Sequence, residues 1–267
     1  MEQSILVTGA YGGMGRATVR RFSEMGFRVF ALDQNVLETD EGVIPIEVDV
    51  SDEQSVKRAI ATVGSMTDRL YAVIHFAGVY MLDSLVEMES EAFEKIFKVN
   101  LGGVFLINKY CLPLLGQGSR ILITTSELST LDPLPFTGVY AVSKAALDKY
   151  AYSLRMELQM KEIGVSVLRA GAVDTGMIGG SVAALDRFCL KTVLYTPNAA
   201  RFRQIVQRVE ARRVPPEAVA KRVQRIVCKA RPRFAYSINR NPLLLLLNAL
   251  PKRCQLWIVR QILKKRS

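Results

Sequence analysis

The run Ser4-Ile5-Leu6-Val7-Thr8-Gly9-Ala10-Tyr11-Gly12-Gly13-Met14-Gly15 decides the fold. A short apolar stretch with the pattern of a buried strand (Ser4–Thr8) breaks into a glycine-rich turn, and residues of helical period follow over Gly15–Met25. Glycines at such a turn have a physical purpose. One permits the tight bend, another lets the backbone approach a pyrophosphate, and the helix behind it offers unpaired N–H groups and the positive end of its dipole. In this context the pattern reads as a dinucleotide-binding loop, with Gly9, Tyr11, Gly13, Met14 and Gly15 as its contacts.

Outward from that loop, short apolar runs alternate with helical segments, the mark of βαβ units and a mostly parallel sheet. The strands read are Ser4–Thr8, Arg28–Leu32, Val43–Val48, Tyr71–Phe76, Arg120–Thr124, Val165–Arg169 and Phe234–Ser237. Helices fall at roughly Gly15–Met25, Asp52–Val63, Glu89–Leu115 and Val139–Lys161. The pattern predicts one α/β domain over 1–240, a doubly wound parallel sheet of about seven strands with helices on both faces. Within it, 174–216 breaks the rhythm with Gly176, Gly179, Gly180 and Pro197, and reads as a loop or lid above the sheet that contacts substrate. Residues 241–267 form a basic amphipathic extension, two short helices split at Pro251.

The chain carries 36 Lys and Arg against 25 Asp and Glu. The excess is confined to the end: from Arg201 onward there are 18 basic and 2 acidic residues, whereas 1–200 carry a net charge of −5. A uniformly basic nucleic-acid binder would not be built this way, so no nucleic-acid partner is expected. Four scattered cysteines without a C-x-x-C pair, and no signal peptide before Ile5, lead to the expectation of a reduced, cytoplasmic protein. A single histidine, His75, argues against a histidine-rich metal site and against a Ser-His-Asp triad. No apolar run is long enough to span a bilayer. The leucine-rich basic tail can instead lie in a membrane interface, or its apolar face can cover the core or a partner subunit.

Asp33, eighteen residues beyond Gly15 at a strand end, can accept hydrogen bonds from the adenosine ribose hydroxyls and would repel a 2′-phosphate. No cation follows in Gln34-Asn35-Val36, so NAD(H) is expected over NADP(H). Tyr140 and Lys144 are four apart on one helix face, where an ammonium beside a phenol favours the phenolate and suits it to general acid/base work.

Taken with Asp49, Ala77-Gly78, Asn100, Ser126 and Thr175 in this order, the pattern resembles the classical short-chain dehydrogenase/reductase family over essentially the whole chain. The resemblance implies that Tyr140 exchanges a proton with the substrate oxygen, and that Lys144 lowers its pKa and holds the nicotinamide ribose. It further implies that Ser126 hydrogen-bonds the substrate oxygen and that Asn100 holds a water in a proton relay. Asp49 and Val50 would lie at the adenine, Ala77 and Gly78 beside the adenosine ribose, and Val173 and Thr175 at the nicotinamide carboxamide. The family also implies a homo-oligomer, dimer or tetramer.

Three departures stand out. His75-Phe76-Ala77-Gly78 replaces the usual N-N-A-G, Ala170-Gly171 replaces P-G, and Ser126 lies 14 residues before Tyr140 instead of 13, followed by Glu127-Leu128-Ser129. His75 reads as a buried strand residue, and Ser129 and Thr125 are alternative hydroxyl donors. The post-strand loops are apolar, with Leu128, Leu131, Leu134, Phe136, Met177, Ile178, Val182, Leu185 and Phe188. A bulky hydrophobic alcohol or ketone is therefore the expected substrate, and the C-terminal region resembles the branch acting on steroids, retinoids and related lipids. The alternatives are reduction of carrier-bound 3-oxoacyl groups, or a non-catalytic NAD-responsive protein that docks through its tail.

Overall fold

The chain's short apolar runs become strands of a single sheet, β1 (Ser4–Thr8), β2 (Arg28–Asp33), β3 (Val43–Glu47), β4 (Ala72–His75), β5 (Arg120–Ser126), β6 (Gly164–Ala170) and β7 (Ala235–Ile238). This is seen in a computed structural model that describes residues 3–37, 41–209 and 213–264, with backbone alone at 176–182 and 207–209. The strand order is β3-β2-β1-β4-β5-β6-β7 and every neighbouring pair is parallel.

Alternation along β1 shows how the sheet is buried on both sides. Leu6 joins Phe30 and Val73 in a core roofed by α2 (Glu53–Gly64), α4 (Gly103–Cys111) and α5 (Gly138–Leu158). Ile5 and Val7 enter a second core with Val29 and Ile74, roofed by α1 (Gly13–Ser23) and α8 (Pro216–Val227). Phe22 and Phe30 are fully shielded, each contributing about 1.5–3 kcal/mol relative to exposure. The doubly wound α/β architecture is thus the one read from the sequence.

Two local expectations fail. The stretch Glu89–Leu115 is not one helix: α3 (Ser90–Phe97) passes into a π-turn at Lys98–Gly102 before α4, and a 3₁₀ turn at Leu112–Leu114 ends the segment. The π-turn carries Asn100 inward, where its amide clamps the Val79 backbone, so a tertiary hydrogen-bond pair outweighs regular helix continuation. Helix α8 is an addition to the helices expected from the sequence. Its apolar stripe Val219, Ala220, Val223, Ile226 and Val227 has a clear helical period, hidden among basic residues and opened by a Pro at its first position.

Beyond β6 the chain leaves the sheet as α6 (Gly176–Lys191) and α7 (Thr196–Val209), then returns by a parallel bridge of Val214 with Val173. The side chains of Met177, Ile178 and Val182 lie outside the described residues, as do Lys265 and Arg266 of the tail. A third, smaller core forms here from Leu185, Phe188, Ala199 and Phe202, with Leu82 from below. The final helices are α9 (Pro242–Asn248) and α10 (Lys252–Leu263), and α10 packs on this layer, with Leu263 entering its core. Backbone carbonyls of Leu263 and Ile262 accept hydrogen bonds from Asn198 and Arg201 of α7.

Candidate active site

The loops after β1 and β4 diverge at the point where strand order reverses, opening a crevice at the carboxyl ends of the strands. Gly9 occupies the left-handed region, φ +65°, and a Cβ there would lie 2.5 Å from the Ala77 nitrogen. Gly13 opens α1, where a Cβ would meet the Thr175 methyl at 2.6 Å. Met14 and Gly15 follow in the same first turn. That turn has no side-chain cap at Gly12 and no acidic residue, so its N–H groups and dipole face the crevice uncompensated. A shallow cradle without side chains, closed by Thr175 and Ala77, fits an anionic pyrophosphate.

Asp33 stands at the end of β2, its carboxylate accepting from the Tyr11 N–H at 2.9 Å and the Gln34 N–H at 2.8 Å. It therefore fixes the glycine loop whatever else it binds. The Tyr11 phenol is pushed above its ordinary pKa by burial, with Asp33 adding to the effect. Asp49 closes a turn, accepting from the Ser51 N–H at 2.8 Å and hydroxyl at 2.7 Å, and these bonds hold its carboxyl below the usual range. Val50 is buried against Gly103 instead of lining an open surface.

Tyr140 and Lys144 lie one turn apart near the start of α5, with the Lys144 Nζ 5.8 Å from the Tyr140 ring centroid. Lys144 is buried and donates to the Thr124 carbonyl at 3.3 Å, and burial brings its ammonium down to about 8. The expected effect of Lys144 on the phenol does not dominate in this structure. Burial pushes Tyr140 up to about 12, with the Ser126 hydroxyl acting in the opposite direction. Desolvation of the anion is the leading cause, and the same burial disfavours the charge on the Lys144 ammonium.

Ser126 ends β5 and accepts from the Leu128 N–H at 3.2 Å. The two alternative hydroxyls are occupied elsewhere: Thr125 and Ser129 both reach Asp148, at 3.3 and 3.1 Å, and Arg169 forks onto the same carboxylate at 2.9 and 2.8 Å. Ser126 is thus the hydroxyl left to hydrogen-bond Tyr140, and a 3₁₀ turn at Glu127–Ser129 follows it. Glu127 is itself buried, its carboxyl raised by burial, and it accepts from the Asn241 N–H at 2.7 Å, tying the tail to this turn.

Asn100 is fully buried, accepting from the Val79 N–H at 2.8 Å and donating to the Val79 carbonyl and the Ser143 hydroxyl, each at 3.1 Å. Both amide protons are used, so the geometry shows a clamp on the strand leaving β4. Gly78 sits between this amide and Lys144: a Cβ on it would lie 3.1 Å from Asn100 Oδ1 and 3.5 Å from Lys144 Nζ. Val173 is buried at the bridge to Val214, while Thr175 covers the glycine loop. Ala77 is held by the Thr8 hydroxyl.

Sequence reasoning missed Tyr80, whose ring meets that of Tyr140 at 4.8 Å between centroids, and which packs on the third core. Its signal was an aromatic residue two positions past Gly78 at a strand's carboxyl end. His75 is buried in β4, and its Nε2 lies 2.9 Å from the side-chain Oδ1 of Asn108, an acceptor to which that nitrogen donates.

The fold and site define a nucleotide-dependent oxidoreductase of the Rossmann type. The chain belongs to the short-chain dehydrogenase/reductase family, whose sequence model, described as short chain dehydrogenase, matches residues 3–185. It is 28% identical over 245 residues to the uncharacterized oxidoreductase YbbO of Escherichia coli, spanning 90% of this chain and 86% of that one. It is 26% identical over 238 residues to a 3-ketodihydrosphingosine reductase of Bacteroides thetaiotaomicron, spanning 89% and 88%. Among solved structures, 3-ketoacyl-(acyl-carrier-protein) reductase from Brucella melitensis, complexed with NADH, superposes with a TM-score of 0.72 at 19% identity over 88% of this chain and 96% of that one. That last likeness concerns the fold.

Proposed function

We propose that the protein is an NAD(H)-dependent oxidoreductase that interconverts a secondary alcohol and a ketone on a bulky hydrophobic substrate. The observation that carries this reading is the convergence of Ser126, Tyr140 and Lys144 beside a glycine cradle fit for a pyrophosphate. Bound NAD would take up or deliver the hydride. Tyr140 moves the proton on the substrate oxygen, and Ser126 fixes that oxygen by a second hydrogen bond. Lys144, held by the Thr124 carbonyl, retains N–H groups for the ribose hydroxyls and for proton return. Asn100 keeps the Gly78–Val79 backbone clear of the cofactor's path.

NAD is preferred over NADP in this reading because Asp33 places a carboxylate at the loop and residues 34–36 supply no cation. A hydrophobic substrate is supported by Tyr80, which packs on Tyr140 and joins it to an apolar layer with Leu82, Leu134, Phe136 and Phe188, and by the lipid ketone named for one relative. The tail supports peripheral contact with an anionic membrane: Leu243, Leu246, Leu256 and Trp257 are exposed beside Lys252 and Arg253. No helix among the described residues is long and apolar enough to cross one.

The test is a screen of secondary alcohols, hydroxysteroids, retinoids and long-chain 3-hydroxy lipids with NAD and NADP, followed by reduced-nicotinamide absorbance. Turnover with a hydrophobic alcohol and NAD supports the reading. Preference for NADP, or reaction only with carrier-bound 3-oxoacyl groups, replaces it.

A further inference from the structure

A cleft of about 890 Å³ lies between α10, the start of α7 and the loops at 84–86 and 132–138. Its size is that of a site for a molecule with a long chain. Tyr140, Ser126 and Lys144 do not line it, although Gly138, at the first position of α5, does. Leu134, Phe136, Val259 and Leu263 form its floor. Its walls are Leu85 and Val86 on one side and Leu256 on the other, all largely exposed, which is unusual for apolar side chains grouped at one opening.

The rim is cationic. Lys252, Arg260 and Lys264 all line the cleft, and among the described residues Asp132 is its one lining carboxylate. Asp132 is already taken by Lys252. Arg260, in the last turn of α10, and Lys264, the residue that follows the helix, have no acidic partner among the described residues. An apolar trough with two uncompensated cations at its edge is complementary to one kind of molecule, a single-chain amphiphile with an anionic head. A neutral sterol or alcohol would leave the cations unused, and a free anion would leave the trough empty.

We infer that this cleft binds an anionic long-chain amphiphile, a carboxylate or a phosphate ester, with its chain over Phe136 and Leu263 and its head at Arg260 and Lys264. The claim concerns binding and stands apart from the proposed reaction. Calorimetry on the full chain, without cofactor and below the micelle concentration, would compare decanoate, decyl phosphate, decanol and inorganic phosphate. Decanoate and decyl phosphate bind saturably, their order showing which head is preferred, and decanol and inorganic phosphate bind at least about tenfold more weakly.

The double substitution Arg260→Gln/Lys264→Gln removes that advantage while leaving decanol unchanged. Should that variant be unstable by circular dichroism, Val86→Glu, at a site 70% exposed on the opposite wall, tests the same point by placing a carboxylate at the rim. It weakens both anions and spares decanol. Equal binding of decanol and decyl phosphate, anion binding untouched by these substitutions, or binding to anionic vesicles without binding of the monomers each overturns the inference.

Discussion

At the scale of single residues the Tyr140 oxygen is the atom on which the proposed chemistry depends. Its ring is held independently of that oxygen, packed on Tyr80. Tyr140→Phe should therefore leave NADH affinity nearly unchanged in a fluorescence titration while turnover falls by about 10³-fold or more. A near-normal rate would remove Tyr140 from the mechanism. The same residue sets a pH dependence. With the phenol near 12 in the protein alone, its base form is scarce at neutrality, so alcohol oxidation should accelerate as pH rises through the alkaline range. A rate that is flat from neutrality upward would mean that another group accepts the proton.

At the scale of elements, the glycine loop and the tail make opposite uses of close contact. The loop depends on absence of a side chain: Gly13→Ala would drive a methyl group into Thr175 at 2.6 Å, so the start of α1 or the Thr175 segment must shift. The expected result is weaker NADH binding with little change in melting temperature, and unchanged affinity would show that the loop adapts freely. Helix α10 depends on side chains that are present. Leu263 is 9% exposed in the third core, whereas Trp257 on the same helix is 64% exposed. Leu263→Ala should cost about 2–3 kcal/mol and Trp257→Ala close to none, read by denaturant unfolding. Equal costs would mean that the tail is not docked as described.

Across the whole molecule, two features act at a distance from the site. His75 is buried in the central sheet and held at about 4, well below its ordinary 6.5, because burial disfavours the imidazolium more than the Asn108 bond favours it. Between those two values the unfolded chain binds the proton and the folded chain does not. Stability is therefore complete above about 6.5 and lost as pH falls toward 4, by about 3 kcal/mol. His75→Asn should flatten that part of the stability profile, and an unchanged acid slope would assign it to carboxylates. The second feature is charge asymmetry, with the basic excess in the last quarter of the chain. Co-sedimentation with anionic vesicles should occur at low salt and vanish near 0.5 M, where screening length shrinks to about 4 Å. Absence of binding at low salt would leave α9 and α10 as packing elements alone.

The strand pattern, the glycine loop and the Tyr140–Lys144 pair were all legible in the chain, because each rests on local periodicity or on spacing within one element. A period of two, a period near four and a run of glycines are properties of neighbours in sequence. The choice of Ser126 over Thr125 and Ser129 was not legible, since it depends on Asp148 and Arg169 reaching in from α5 and β6 to occupy the other two hydroxyls. Nor were the π-turn at Asn100, the Tyr80 ring against Tyr140, or the capture of the Asn241 N–H by Glu127. Composition alone let the tail lie in a membrane interface or cover the core or a partner subunit. Only the tertiary structure decided which leucines are inside, because burial of an amphipathic helix depends on the shape of the surface it meets.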